Sequence, residues 1–325
     1  MFSPVSRRRR LTFVGAAVTL TLGACGGAED AVFRNPVHAS DFPDPFVLRV
    51  DATYHAYGTT TLGTEVQTLT STDLVRWRRG PDALPEVGSW AYPGKTWAPE
   101  VLARDDGTYV LYYTANGGGQ CIGRAVADAP AGPFVDRWQA PLVCQRAEGG
   151  SIDASPFRDE DGALYLYWKS DGNAIGRTTW LWGQRLSADG TELAGAPTRL
   201  VSNDRGWEGG VVEAPSMWLE DGSHYLFFSG EAYDGEAYAV GYATCAGPLG
   251  PCVDAAENPI LKTACRAHGP GHQALVRDGD GATWIVYHAW DAAFERRQIW
   301  LDRIRWEDAK PVVDGPTCEE QREPR

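Results

Sequence analysis

One short pattern occurs five times along this chain. An aspartate, four times out of five followed by glycine, opens a run of aromatic and branched side chains. The copies are Asp51-Ala52-Thr53-Tyr54-His55-Ala56-Tyr57, Asp106-Gly107-Thr108-Tyr109-Val110-Leu111-Tyr112, Asp161-Gly162-Ala163-Leu164-Tyr165-Leu166-Tyr167, Asp221-Gly222-Ser223-His224-Tyr225-Leu226-Phe227 and Asp280-Gly281-Ala282-Thr283-Trp284-Ile285-Val286. Successive aspartates are 55, 55, 60 and 59 residues apart. A constant period of this size marks a repeat architecture, in which each unit buries its apolar face against the next. Asp-Gly before an apolar run is a hairpin signal, because a type I′ turn needs positive φ at both central residues. The run itself suits a pleated, half-buried surface. A shorter apolar run precedes each turn, at residues 45–48, 101–103, 155–157, 215–219 and 274–276, so each unit opens with two antiparallel strands. No long helical periodicity interrupts the units. Four-stranded units repeated radially describe a β-propeller. A β-sandwich with regular turns is the alternative, and the constant period argues against it. The expected fold is all-β: a five-bladed β-propeller with four-stranded antiparallel blades around a central channel.

The start of the chain reads differently. Four arginines at residues 7–10 and an apolar stretch at residues 11–22, too short to span a bilayer, form a signal peptide over residues 1–24. Leu22-Gly23-Ala24-Cys25 resembles the bacterial lipoprotein cleavage signal, in which Cys25 becomes the lipidated first residue. Residues 25–34 read as a tether, and residues 35–325 as a single propeller domain. The chain is expected to be exported and lipid-anchored at the cell surface or periplasmic face, with plain secretion as the alternative. Six cysteines remain after Cys25, an even number that favours disulfides in an exported chain. Six allow about 15 connectivities; neighbour pairing, Cys121–Cys144, Cys245–Cys252 and Cys265–Cys318, is the expectation. No C-x-x-C occurs to suggest zinc. The formal charge is −13, and loss of four leader arginines takes it to −17. That balance argues against nucleic acid or an anionic membrane surface as partner. It suits a neutral ligand, and the chain is expected to be monomeric, touching membrane only through its lipid.

Just ahead of each hairpin lies a polar group: Asp44, Glu100, Asp153, Glu213 and His272, six to eight residues before the repeat aspartate. Equivalent positions in a propeller lie at one height around the axis, so these five should converge. Each alone has an ordinary reading as a turn residue, surface charge or core histidine. Together, on the most buried strands, they are costly unless paired or functional. Clustered carboxylates push one another's pKa values apart, which separates an acid from a base. Paired carboxylates of this kind point to glycosidic bond hydrolysis. Trp90, Trp97 and Trp207 fall near the ring and offer flat faces for sugars, core packing being their other use.

Between residues 35 and 311 the chain resembles glycoside hydrolase family 43. The carriers are Asn35-Pro36-Val37, Asp41-Phe42-Pro43-Asp44-Pro45, Thr96-Trp97-Ala98-Pro99-Glu100-Val101, Ser151-Ile152-Asp153, Val212-Glu213-Ala214-Pro215 and Gly271-His272. The resemblance implies inverting enzymes acting on arabinose- and xylose-containing polysaccharides. It implies that Asp44 is the general base, Glu213 the general acid and Asp153 the carboxylate that tunes and orients the acid. Inversion implies base and acid carboxyls about 6.5–9.5 Å apart. His272 resembles an axial histidine that helps hold a calcium or sodium ion through water; the chemistry itself requires no cofactor. Trp97, Glu100, Trp90 and Trp207 are the expected substrate contacts. Asp41 and Glu208 compete with Asp44 and Glu213. Ser155-Pro156 departs from the family, where proline often follows the aspartate directly. A retaining fructan hydrolase is disfavoured, since neither Asn-Asp-Pro-Asn nor Arg-Asp-Pro occurs. A non-catalytic lectin should lack one of the three carboxylates. Arabinofuranosidase or arabinanase is preferred over β-xylosidase, and residues 80–96, 116–120 and 202–210 are the candidate pocket walls.

Overall fold

Alternation of side chains along each strand feeds two cores at once. On Tyr109–Asn116, Tyr109, Leu111 and Tyr113 pack toward the preceding unit, while Val110 and Tyr112 pack toward the following one. A strand buried on both faces reads as a continuous apolar run, as these do. The structure, a computed structural model, describes residues 1–4, 31–61 and 63–325. Apart from its first four residues, the expected signal peptide lies outside them, as do Cys25 and the tether up to residue 30.

Five antiparallel sheets form five blades. Blade 1 runs outward through Phe46–Val50, Thr53–Gly58, Gln67–Ser71 and Arg78–Arg79. Blade 2 has three strands, Tyr92–Ala103, Tyr109–Asn116 and Gln120–Ala127. Single bridges from Val135 and Val143 cover its outer edge where a fourth strand was expected. Blade 3 comprises Ser151–Arg158, Leu164–Ser170, Trp180–Leu186 and Leu193–Ser202, and blade 4 comprises Val212–Glu220, Ser223–Gly230, Ala239–Cys245 and Cys252–Asp254. Blade 5 comprises His268–Arg277, Thr283–Trp290, Arg297–Glu307 and Lys310–Val313. The innermost strands touch in sequence order around the whole ring, blade 5 meeting blade 1. A separate buried apolar cluster fills each of the five junctions between neighbouring blades. Val32–Phe33 pairs with Gln321–Arg322, fastening the two ends of residues 31–325 together. All three expected disulfides are present, and Cys265–Cys318 ties the C-terminal segment to the approach to blade 5.

The repeat turns depart from the expected type I′ form. In blades 2, 3 and 5 positive φ falls on Gly107, Gly162 and Gly281, while the aspartates stay in ordinary backbone regions. Asp106 and Asp161 instead accept the amide hydrogen two residues on, at 3.0 and 2.8 Å. That local hydrogen bond is an alternative way for aspartate to stabilise a turn. Asp221-Gly222 in blade 4 has positive φ at both residues.

Candidate active site

On or just ahead of each innermost strand sits one strained residue, at equivalent places in the five blades. Asp44, Ala98, Asp153, Ala214 and His272 all have left-handed φ, between 42° and 57°. Non-glycine residues there cost about 1–3 kcal/mol and persist only where surroundings over-determine them. Here the surroundings are a set of latches between blades. The second strand of one blade, or the residue just after it, supplies an acceptor for the amide of the strained residue on the next. Thr59 accepts from Ala98 at 2.8 Å, Thr114 from Asp153 at 3.2 Å, Ser229 from His272 at 2.9 Å and His288 Nδ1 from Asp44 at 3.1 Å. The amide of Ala214 goes to Asp153 Oδ2 at 3.0 Å. Pairing registers slip at these residues in blades 2 to 5. Bulges of this kind re-aim side chains beside active sites.

The strained segments ring a pocket of about 350 Å³, to which Asp44, Asp153, Glu213 and His272 all contribute. Trp97, Lys169, Asp171, Tyr233 and Arg297 complete much of its wall. Asp44 is buried and surrounded by donors. Arg297 Nη1 lies 3.0 Å from its Oδ1, His272 Nδ1 3.3 Å away, and the Thr59 hydroxyl donates to Oδ2. Burial pushes this carboxyl up, but Arg297 and His272 hold it well below the usual carboxylate range. His288 itself is pushed down to about 4, chiefly by burial. It is therefore neutral at pH 7, as an imidazole accepting through Nδ1 must be.

Asp153 and Glu213 have opposite tendencies. Burial pushes Asp153 up to about 6, with Glu213 adding to the rise and His272 opposing it. Burial also raises Glu213, but Lys169 reverses this and holds it below the ordinary glutamate value. Lys169 Nζ lies 3.0 Å from Glu213 Oε2, and the Tyr238 hydroxyl donates to Oε1 at 2.8 Å. Among the described residues, no three His, Cys, Asp or Glu side chains come together as a metal-holding set. His272 Nδ1 lies 3.3 Å from Asp44 Oδ1. The described residues therefore do not compose a set of protein ligands for an ion.

Several sequence expectations need correcting. Glu100 does not join the ring: it lines a second cavity with Phe46, Ser155 and Met217. It sits two residues beyond the strained position of its blade, which Ala98 occupies, and burial raises its pKa well above the glutamate norm. Trp90 stacks on Tyr113, donates to Asp136 at 3.0 Å and fits against Gly117 and Gly123. Trp207 packs on Phe228 and against Gly230 and Gly241. Both are packing residues away from the pocket, so of the three tryptophans Trp97 is the one that lines it. Asp41 accepts the Arg297 amide at 2.8 Å, and Glu208 accepts the Arg205 amide at 2.7 Å; neither lines the pocket. The walls come from the turn Gly172–Ile175, through Asn173 and Ala174, and from Tyr233, not from the three segments expected. Lys169, Arg297, Tyr238 and His288 escaped the sequence reading. A signal existed for two of them, since Lys169 and His288 each stand eight residues after a repeat aspartate. Nothing local distinguishes Arg297 or Tyr238.

Comparison with known proteins extends these observations. The chain is 27% identical over 297 residues to a β-D-galactofuranosidase of Aspergillus niger, covering 86% of this chain and 84% of the relative. It is 28% identical over 272 residues to a non-reducing end α-L-arabinofuranosidase of Bacteroides ovatus, covering 78% of this chain and 47% of that one. A thermostable family-43 glycoside hydrolase of known crystal structure superposes with a TM-score of 0.82 at 29% identity, covering 90% of this chain and 99% of that one. The model of glycosyl hydrolases family 43 matches residues 33–311, from the strand that fastens the N-terminal end to the last strand of blade 5. With that match reaching all five blades, the chain belongs to glycosyl hydrolases family 43.

Proposed function

We propose that this glycosidase removes arabinofuranosyl units from plant-type polysaccharides or oligosaccharides by single-displacement, inverting hydrolysis. The observation that carries the reading is one pocket of about 350 Å³ that gathers carboxylates from blades 1, 3 and 4. Its volume sits at the small end of ligand sites, about 300–1,000 Å³, which favours a terminal sugar over a long cleft-bound chain. The relatives named for furanosidic substrates favour a five-membered sugar ring. β-Xylosidase is the second reading.

In the proposed chemistry Asp44 activates water. Its ionised form is what a base requires, and Arg297 at 3.0 Å stabilises that form. Glu213 protonates the leaving oxygen as the glycosidic bond breaks, and the bonding electron pair goes to that oxygen. Water adds from the opposite face, and its proton passes to Asp44. Asp153, pushed up to about 6 by burial, can pass a proton to Glu213 and orients Ala214 beside it through the 3.0 Å hydrogen bond. Trp97 and Tyr233 supply faces against which a sugar ring can pack. A lectin role is opposed by the presence of all three carboxylates on the pocket wall.

A screen of aryl α-L-arabinofuranoside, aryl β-D-xyloside and debranched arabinan tests the substrate. Arabinose release with inverted anomeric configuration by NMR is expected; xylose release alone would favour the second reading. Glu213→Ala should abolish release from arabinan, and equal release by variant and wild type would sink the acid assignment. The proposal includes export and anchoring through Cys25. Metabolic labelling with palmitate checks this, and an unlabelled mature chain lacking Cys25 would refute it.

A further inference from the structure

The latches between blades have one exception. Thr59, Thr114, Ser229 and His288 each stand eight residues after a repeat aspartate, and each accepts the amide of the strained residue on the next blade. Blade 3 has Lys169 at that position. An ammonium carries three donors and no acceptor, so it cannot close the latch. Asp153 closes it instead, accepting from Ala214. Lys169 therefore contributes nothing to this latch, yet its side chain is only 1 % exposed. Burying an ammonium is costly unless it is paired.

Its partners are both in the pocket. Nζ lies 3.0 Å from Glu213 Oε2 and 3.5 Å from Asp171 Oδ1. With Tyr238 donating to Oε1, both Glu213 oxygens accept hydrogen bonds. A carboxyl that delivers a proton must first carry one, and an ammonium at this range favours the ionised form. Asp171 offers Lys169 a second station. It leads into the turn Gly172–Ile175, lines the same pocket and is less deeply buried than Lys169.

We propose that Lys169 is a positioning residue with two stations. In the empty pocket it holds Glu213, and when a sugar enters it moves onto Asp171, leaving Glu213 to take up the proton it delivers. The proposal deepens the glycosidase reading and rests on Glu213 being the acid. The proton reaches Glu213 from Asp153 or solvent and leaves on the glycosidic oxygen, while Lys169 stays an ammonium throughout. The upward push that burial gives Asp153 agrees with this order of steps. The other groups acting on the Glu213 and Asp153 pair are His272 from blade 5, Tyr238 from blade 4 and Asp44 from blade 1.

The test is the pH profile of kcat/KM on α-1,5-linked arabinobiose, whose leaving group needs protonation. Lys169→Thr installs the residue that blades 1 and 2 carry and supplies the missing latch acceptor. It should move the alkaline limb upward by about one unit or more, as expected on removing an opposite charge at this range. Asp171→Asn takes away the second station and should move the same limb downward. A structural role would lower the rate at every pH and leave the limb in place. Unmoved limbs in both variants, or shifts in the same direction, overturn the proposal. Glu213→Gln separates the two levels. Loss of activity there with unmoved limbs in the other variants overturns the two-station idea alone. Undiminished activity there, or a wild type inert toward arabinobiose, overturns the parent reading and this one with it.

Discussion

Replacing Thr114 by valine tests whether the latches hold the catalytic geometry. Thr114 is fully buried, and its hydroxyl oxygen accepts the Asp153 amide at 3.2 Å. Valine keeps the shape and removes the acceptor. A buried amide left without a partner costs about 1–3 kcal/mol. Asp153 has a φ of 57°, so the lost bond also releases one restraint on a strained backbone. Relaxation of that strain offsets part of the loss, and a net destabilisation of about 1–2 kcal/mol is expected. At about 2–4 °C per kcal/mol for a domain of some 150–250 residues, and less for a larger one, the melting temperature should fall by roughly 2–6 °C. Calorimetry on the purified enzyme reads this directly. Activity should fall further than stability implies, because a misplacement of about 1 Å at a reacting centre can cost about 100-fold. The loss should appear in kcat more than in KM, since Asp153 is assigned to the proton and not to sugar affinity. Thr114→Ser keeps the acceptor and should stay near wild type in rate, giving up only a methyl group worth about 0.8 kcal/mol. The reasoning is refuted if Thr114→Val melts with the wild type and turns over as fast, or if Thr114→Ser is the more damaged of the two.

Two further outcomes follow from charges the fold has buried. Arg297→Met removes the cation 3.0 Å from Asp44, so the base should protonate at higher pH and the acid limb of kcat/KM should move up by about 1–3 units; an unmoved limb would remove Asp44 from the base role. Asp302 is pushed up to about 7, chiefly by burial, against hydrogen bonds from Tyr287, Thr317 and Gln321. A carboxyl raised in the folded state stabilises fully below its unfolded value and loses that contribution as pH rises through the folded one. Stability should therefore decline by roughly 2–3 kcal/mol from this group between pH 5 and pH 8. Asp302→Asn should flatten that part of the melting-temperature profile, and an unchanged slope in the variant would contradict the assignment.

How much of this was legible in the sequence depends on how local the determinant is. The repeat, its turns and its apolar runs follow from residue order alone, because strand alternation and turn chemistry act over a few residues. Five blades could be counted from the spacing of Asp51, Asp106, Asp161, Asp221 and Asp280. The three carboxylates ahead of blades 1, 3 and 4 stood out for the same reason. Glu100 shows where residue counting stops. It precedes its repeat aspartate by six residues, against seven or eight for Asp44, Asp153, Glu213 and His272. At a bulge a small difference in count decides which way a side chain faces, so Glu100 lines a different cavity. Trp90 and Trp207 lie near the motif in sequence yet pack between strands, because their surroundings are made by distant glycines. Arg297 and Tyr238 lie on third strands of blades 5 and 4 or just before them, outside the segments the repeat marks. Residue order alone thus determined the blades and most of the acidic groups. The closure of the ring decided which of those groups meet and which cation each one faces, since these depend on distances between strands that no local pattern encodes.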